Sequence, residues 1–474
     1  MTGLPARRPD PASSTAAADG PRRLVIVGGG IGGIALARKL ANHPGFDVTL
    51  LDRQNHFVFQ PLLYQVATSA LGATDIAVPI RFLLRRAGNV RVLQAEVTGV
   101  DARARRVDTS VGAFGYDVLV VAAGVESSYF GHPEWEQTAP SLKTLADAAR
   151  IRERVLGAFE RAEALEDPVA RARELTFVVV GAGPTGVELA GALAELAKDA
   201  LRQDFRRIDP RDARVLLVEA GARALTMFEP SLGDSAIRFL RERGVDVRLN
   251  TRVTDITPDG VALGAERVRS ANVIWAAGVH GSPVGAWLPA ERDRAGRVLV
   301  NDDCSLPGHP EIFVIGDLAH YRPPNKSAEL PAVGGVALQM GHHVARLLKG
   351  EPKGRPRKAF AYFDRGQMAT IGRNHAIAEI RRLHFAGRLA WWMWLFIHLV
   401  FLAGFRNRLA VLLHWGWSYV TLERGARLIV QPPRTEKRVA LRAPPAPSPT
   451  VATPEPPRVP TERAVKSEPC VEPR

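Results

Sequence analysis

Cysteine is nearly missing from this 474-residue chain, which has only Cys304 and Cys470. The two form no Cys-x-x-Cys pair, which excludes a redox couple of that spacing and a disulfide framework, and a reducing compartment is the default. The first 22 residues are rich in Ala, Pro and Ser and lack the apolar core of a secretory signal. Zinc-finger and RNA-recognition motifs are also lacking, so the net charge of +14 does not point to nucleic acid. Acidic residues are sparse in one region. Residues 349–442 hold eighteen Lys and Arg against five Asp and Glu, a surplus of 13, and the rest of the chain is nearly neutral. Long apolar runs are equally rare. The outstanding one, "LAWWMWLFIHLVFLAGF" over 389–405, lies inside the basic region, a combination that favours an anionic lipid surface.

As a helix that run would be about 25 Å long, at the short limit for a hydrocarbon core of about 30 Å. It is apolar nearly all round, which predicts full burial in lipid or protein. Trp391, Trp392, Trp394, Trp415 and Trp417 cluster here, as at membrane–water interfaces, and His398 interrupts the run. Arg381, Arg382 and Arg388 precede it, and Arg406, Arg408, Arg424 and Arg427 follow. A single span would leave one basic flank outside the membrane. The pattern predicts instead a monotopic anchor of two short helices or a hairpin. Every arginine would then meet head groups on the cytoplasmic face of the cell membrane, at about 1 kcal/mol each.

The interior repeats itself. "RLVIVGGGIGGIALARKL" (23–40) reads as strand, Gly-rich turn and helix, and "TFVVVGAGPTGVELAGAL" (176–193) copies the plan. Two strands, "YDVLVVAAGV" (116–125) and "ANVIWAAGV" (271–279), close the copies with the same Ala-Gly ending. The fold class is α/β, with two Rossmann-like dinucleotide-binding units of parallel strands and a C-terminal helical anchoring segment. "IFVIGDLAH" (312–320) is a further buried strand, 331–350 a helix capped by Gly350, and 361–380 strands. Residues 1–21 and the Pro-rich 431–474, which holds twelve of the 35 prolines, are expected to be disordered.

Gly28, Gly30 and Gly33 form a Gly-x-Gly-x-x-Gly turn that lets a pyrophosphate approach a helix N-terminus, and Asp52 ends the next strand at the spacing of a ribose-binding acid. Gly181, Gly183 and Gly186 repeat the turn, with Glu219 as the acid, which repels a 2′-phosphate and favours NADH over NADPH. Two such sites suggest a flavin–nicotinamide pair with stacked rings. Glu188, in the first turn of the second helix, either complements the helix dipole or places a carboxylate near that ring contact. Asp317 either caps the next element or bonds the ribityl–phosphate region of a flavin.

Further stretches make the chain resemble, from about 22 to 430, the type II NADH dehydrogenases, non-pumping NADH:quinone oxidoreductases of the two-dinucleotide-binding flavoprotein superfamily. These are "NHFVFQPLLYQVATSAL" (55–71), "GAGPTGVELAG" (181–191), "IWAAGV" (274–279), "IFVIGDLA" (312–319), "MATIGRNHA" (368–376) and "WLFIHLVFLAGFRNR" (394–408). The resemblance implies FAD held by Gly28, Gly30, Gly33, Asp52, Gly124, Asp317 and Ala337. It implies NADH as substrate, held by Gly181, Gly183, Gly186 and Glu219 with Gly278 nearby, and it puts Glu188 beside the flavin. The implied FAD-binding parts are 22–145 and 280–350, the NADH-binding part 146–279, and 351–430 the strands and anchor helices. The family's quinone motif, Ala-Gln-x-Ala-x-Gln, reads "GGVALQ" (334–339) here, so Gly335 replaces a Gln while Gln339 is kept. The implied acceptor is a membrane quinone, menaquinone or ubiquinone, with no metal and no proton pumping, and a homodimer is left open. Disulfide reductases and sulfide:quinone oxidoreductases need cysteines that are missing. The alternative is a membrane-attached NADH/flavin redox sensor without steady-state turnover.

Overall fold

The computed structural model of the protein describes residues 20–324, 328–350 and 357–429. The expectations for the N-terminus up to residue 19 and for the Pro-rich tail, including Cys470, lie outside these residues. β1 (Arg22–Val27) runs into α1 (Ile31–Leu40) through the first Gly turn, and β2 (Phe46–Asp52) follows. The short helix α2 (Leu63–Ala67), β3 (Val90–Gln94) and β4 (Val118–Val121) come next. The second copy begins with β5 (Thr176–Val180), α3 (Pro184–Glu195), β6 (Arg214–Val218), β7 (Val245–Arg248) and β8 (Asn272–Trp275). β9 (Ser305–Leu306), β10 (His309–Val314) and α4 (Gly334–Lys349) then return to the first sheet.

The first sheet has the order β9-β10-β4-β1-β2-β3, parallel except for β9, and the second is β7-β6-β5-β8, parallel throughout. The central strands are unbroken runs of Val, Leu, Ile and Phe because both faces are covered, one face of the second sheet by antiparallel strands within 255–269. Leu24, Ile26, Val118, Leu119, Val178 and Val179 have no exposed surface. The first sheet is completed by strands that follow the whole second sheet in the chain, and Val125–Ser127 pairs antiparallel with Val279–Gly281 where the chain crosses out and back.

A three-stranded antiparallel sheet of β11 (Gln367–Thr370), β12 (Ala376–Ile380) and β13 (Leu383–Gly387) leads into α5 (Arg388–Phe401) and α6 (Phe405–Thr421). The 17-residue apolar run is thus broken at Leu402–Gly404, and among the described residues no helix is long and apolar enough to cross a membrane. The protein itself buries only one side of the run. Trp394 is 1 % exposed and Ala390 and Trp391 are buried against the protein, while Trp392, Phe396, Phe405, Leu413, Trp417 and Val420 stand out at 55–81 % exposure. His398 is not a defect in the run: it stacks on Trp394, its Nδ1 sits 2.8 Å from the Trp394 carbonyl, and burial pushes its pKa down to about 4.

The flanking arginines divide in the same way. Arg381, Arg382, Arg388, Arg406 and Arg408 are exposed, but Arg424 and Arg427 do not reach outward. Arg424 is buried, pairs with Glu195 at 3.2 Å and donates to the carbonyls of Thr68 and Ala192, whereas Arg427 pairs with Asp204. A buried carboxylate at the end of α3 needs a cation more than a lipid head group does.

Candidate functional site

The two Gly turns have the same construction. Gly28 and Gly181 have φ of +104° and +102°, and a Cβ on either would strike the Ala-Ala ending of the closing strand, 2.3 Å from the Ala122 carbonyl oxygen and 2.8 Å from Ala277 Cα. A Cβ on Gly33 or Gly186 would come within 1.9 or 1.8 Å of the carbonyl oxygen of Gly28 or Gly181, so the helix can start this close to the turn only without a side chain. Gly30 and Gly183, at the helix N-caps, face open space, where a phosphate would approach. The repeated "AAG" ending is therefore the floor on which each turn rests.

Each acid braces its own turn. Asp52 accepts from the Gly29 and Gln54 amides, both at 2.6 Å, and Glu219 from Ala182 and Gly221 at 2.7 and 2.8 Å. Burial raises the Asp52 pKa, with the backbone bonds opposing. The remaining lone pairs of both carboxylates are free for a ribose.

A cleft of about 1210 Å³ opens from the first turn, lined by Gly28, Gly30, Asp52, Gly124, Asp317 and Ala337. Asp317 caps no helix, since α4 starts only at Gly334. It faces the cleft with Lys143, a residue that no sequence motif marks. Burial raises the acid and lowers the lysine, and their mutual attraction only partly offsets this. Thr185 and Glu188, from the helix that starts at the second turn, line the same cleft. Glu188 accepts from the Thr370 amide at 3.3 Å, and desolvation lifts its pKa to about 8. A dipole partner exposed to water would not be held in this way. Gly278, with φ +71°, lies beneath the exposed ring of Phe130, which lines the cleft mouth.

Gly335 and Gln339 are placed differently. Neither lines the cleft. Gln339 donates to the Phe363 carbonyl at 2.9 Å and accepts from the Phe363 amide at 3.0 Å, and Gly335 backs onto the Tyr362 hydroxyl. Gln339 therefore clamps the 362–363 segment with both ends of its amide, so a head group could claim it only by breaking those bonds. Tyr64 lines the cleft, Gln65 follows it on α2 and the Thr370 amide bonds Glu188, and the three carry no sequence signal beyond lying in quoted stretches. Cys304 is a buried free thiol whose ionisation burial suppresses, in keeping with chemistry that needs no cysteine pair.

The fold and paired turns define a pyridine nucleotide oxidoreductase, and residues 22–341 match the family described as pyridine nucleotide-disulphide oxidoreductase. The chain is 43% identical, over 87% of its length and 90% of the relative's, to type II NADH:quinone oxidoreductase NdhA of Mycobacterium tuberculosis. Ndh of the same organism, of the same description, is 41% identical over 85% of this chain and 89% of its own. The fold also matches NDH2 of Plasmodium falciparum solved in complex with NADH, with TM-score 0.78, 18% identity, and coverage of 86% of this chain and 100% of that one. The chain belongs to the type II NADH:quinone oxidoreductases.

Proposed function

We propose that this NADH:quinone oxidoreductase works through FAD in the cleft that starts at Gly28, takes NADH at the turn around Gly181, and does so on a membrane surface without moving protons across it. The observation that carries the reading is convergence: the helix that begins at the second nucleotide turn delivers Thr185 and Glu188 to the wall of the cleft that begins at the first. The residues fit a flavin dinucleotide. Gly30 leaves room at a helix N-terminus, Asp52 keeps free lone pairs, and Asp317 with Lys143 offers polar contacts further along. Bound FAD supplies a ring that accepts hydride from NADH and releases two electrons to a quinone.

The chain's own residues do the rest. Gly183 and Glu219 would seat NADH, and the Glu219 carboxylate disfavours a 2′-phosphate. Glu188, protonated below about pH 8, would hold a proton at the cleft floor for the quinone, which takes up two protons with its two electrons. The exposed apolar faces of α5 and α6, with five exposed arginines, would seat the enzyme on the cytoplasmic leaflet. Gln339 is then a support for the wall of the quinone path rather than a free donor to it.

The test is turnover by the purified protein with NADH and a short-chain quinone. Sustained oxidation far beyond one equivalent of bound flavin is expected. Oxidation that stops at one equivalent would mark a redox sensor instead.

A further inference from the structure

We infer that Tyr64 donates a hydrogen bond to the quinone carbonyl, and that Trp415 and Gln65 are positioning residues that fix the direction of that donor. The inference rests on quinone as the acceptor. Tyr64 and Gln65 sit on α2 and are buried, and Tyr64 lines the cleft together with Glu188. Trp415 lies on α6, one of the two helices whose outer faces are apolar and exposed.

The polarity of the chain follows from chemistry. An indole N–H can only donate. The Trp415 Nε1 lies 2.8 Å from Gln65 Oε1, so this end of the amide is the oxygen. The other end is then the NH2 group, and it donates to the Tyr64 hydroxyl oxygen at 2.8 Å. The phenol thus receives a bond from behind, and its own O–H is left to donate elsewhere. The open direction is the cleft, where Glu188 is a neighbour close enough to oppose ionisation of the phenol, after burial itself. Burial also keeps the tyrosine protonated, so its O–H stays available to donate while its oxygen accepts from Gln65.

The side of approach selects quinone over other carbonyl ligands. The Tyr64 end of the cleft adjoins the surface helices, with Gln65 bonded to Trp415, Asn407 of α6 bonded to the Thr74 carbonyl at 3.2 Å and His398 of α5 against Phe59. An apolar acceptor arriving from a bilayer enters at this end. Correct seating of α6 and correct aim of the donor are therefore one event.

The experiment compares the rate of NADH oxidation with a short-chain quinone to that with ferricyanide, an outer-sphere acceptor that needs no hydrogen bond. Tyr64→Phe is expected to lower the quinone-to-ferricyanide rate ratio about tenfold, the worth of one such bond. Trp415→Phe keeps an aromatic ring beside Trp394 while removing the N–H along with part of the indole, and it is expected to lower the ratio about threefold. On the Tyr64→Phe background Trp415→Phe is expected to add almost nothing, because its effect runs through the phenol. An unchanged ratio in Tyr64→Phe, an equal fall with both acceptors, or a full additional effect of Trp415→Phe on that background would overturn the inference. A wild-type protein that turns over with ferricyanide and never with quinone would instead overturn the reading of the acceptor, and the inference with it.

Discussion

Burial at the foot of the cleft holds the Glu188 carboxyl protonated up to about pH 8, against an ordinary value near 4.5. The consequence for stability has a definite sign. Between those two values the folded chain binds a proton that the unfolded chain has released, so stability falls as pH rises through the window and the full penalty is present above it. The shift from 4.5 to about 8 caps this penalty at roughly 5 kcal/mol. Glu188→Gln removes it. The variant is expected to match the wild type in denaturant unfolding near pH 4 and to exceed it by a few kcal/mol near pH 9. In turnover the wild type is expected to decline above about pH 8, and the same variant to lose at least about tenfold in quinone reduction together with that decline. An unchanged alkaline decline in the variant would assign that limb to another group. Glu219 yields a second expectation at this scale: kcat/KM for NADPH at least about tenfold below that for NADH, from like-charge repulsion at the ribose.

Among the elements, α5 and α6 are held from inside as well as exposed outside. Arg424 ties the end of α2 to the end of α3 through the Thr68 and Ala192 carbonyls, and it joins Arg243 in holding Glu195 ionised against its own burial. Arg424→Met strands part of that buried charge and is expected to cost about 3 kcal/mol or more, seen as a lowered thermal midpoint. On the outer face, replacing Trp392, Phe396 and Leu413 together by Ser is expected to cut binding to anionic vesicles at least about a hundredfold, by sedimentation, with the melting temperature nearly unchanged.

The same elements show what a sequence can reveal. The Gly turns were legible because close backbone approach admits one residue type at fixed spacing, and the second acid was found even across a long insertion. The two faces of α5 were not legible. Trp391 and Trp394 pack inward while Trp392 and Phe396 point outward, so both faces read as aromatic and periodicity carries no contrast. Arg424 looked like one more flanking cation because its partner, Glu195, lies in another part of the chain. Gln339 kept its motif position but is occupied by a backbone segment whose placement only folding fixes.

On the scale of the whole molecule, charge and greasy surface share one region. The net charge of +14 is concentrated late in the chain, and five arginines near α5 and α6 remain exposed. Binding to anionic vesicles is therefore expected to weaken as salt rises but not to vanish, because the apolar faces are not screened. The nucleotide turns sit on two separate sheets, yet one cleft receives Glu188 from the second and Asp317 from the first, and under the proposed function that cleft would give electrons a single path from NADH to the quinone. The most direct test of that path is anaerobic stopped-flow absorbance of the flavin-loaded protein. NADH is expected to bleach the flavin band and added quinone to restore it, repeatedly, until NADH is exhausted. A flavin that NADH bleaches and quinone never restores would contradict that path.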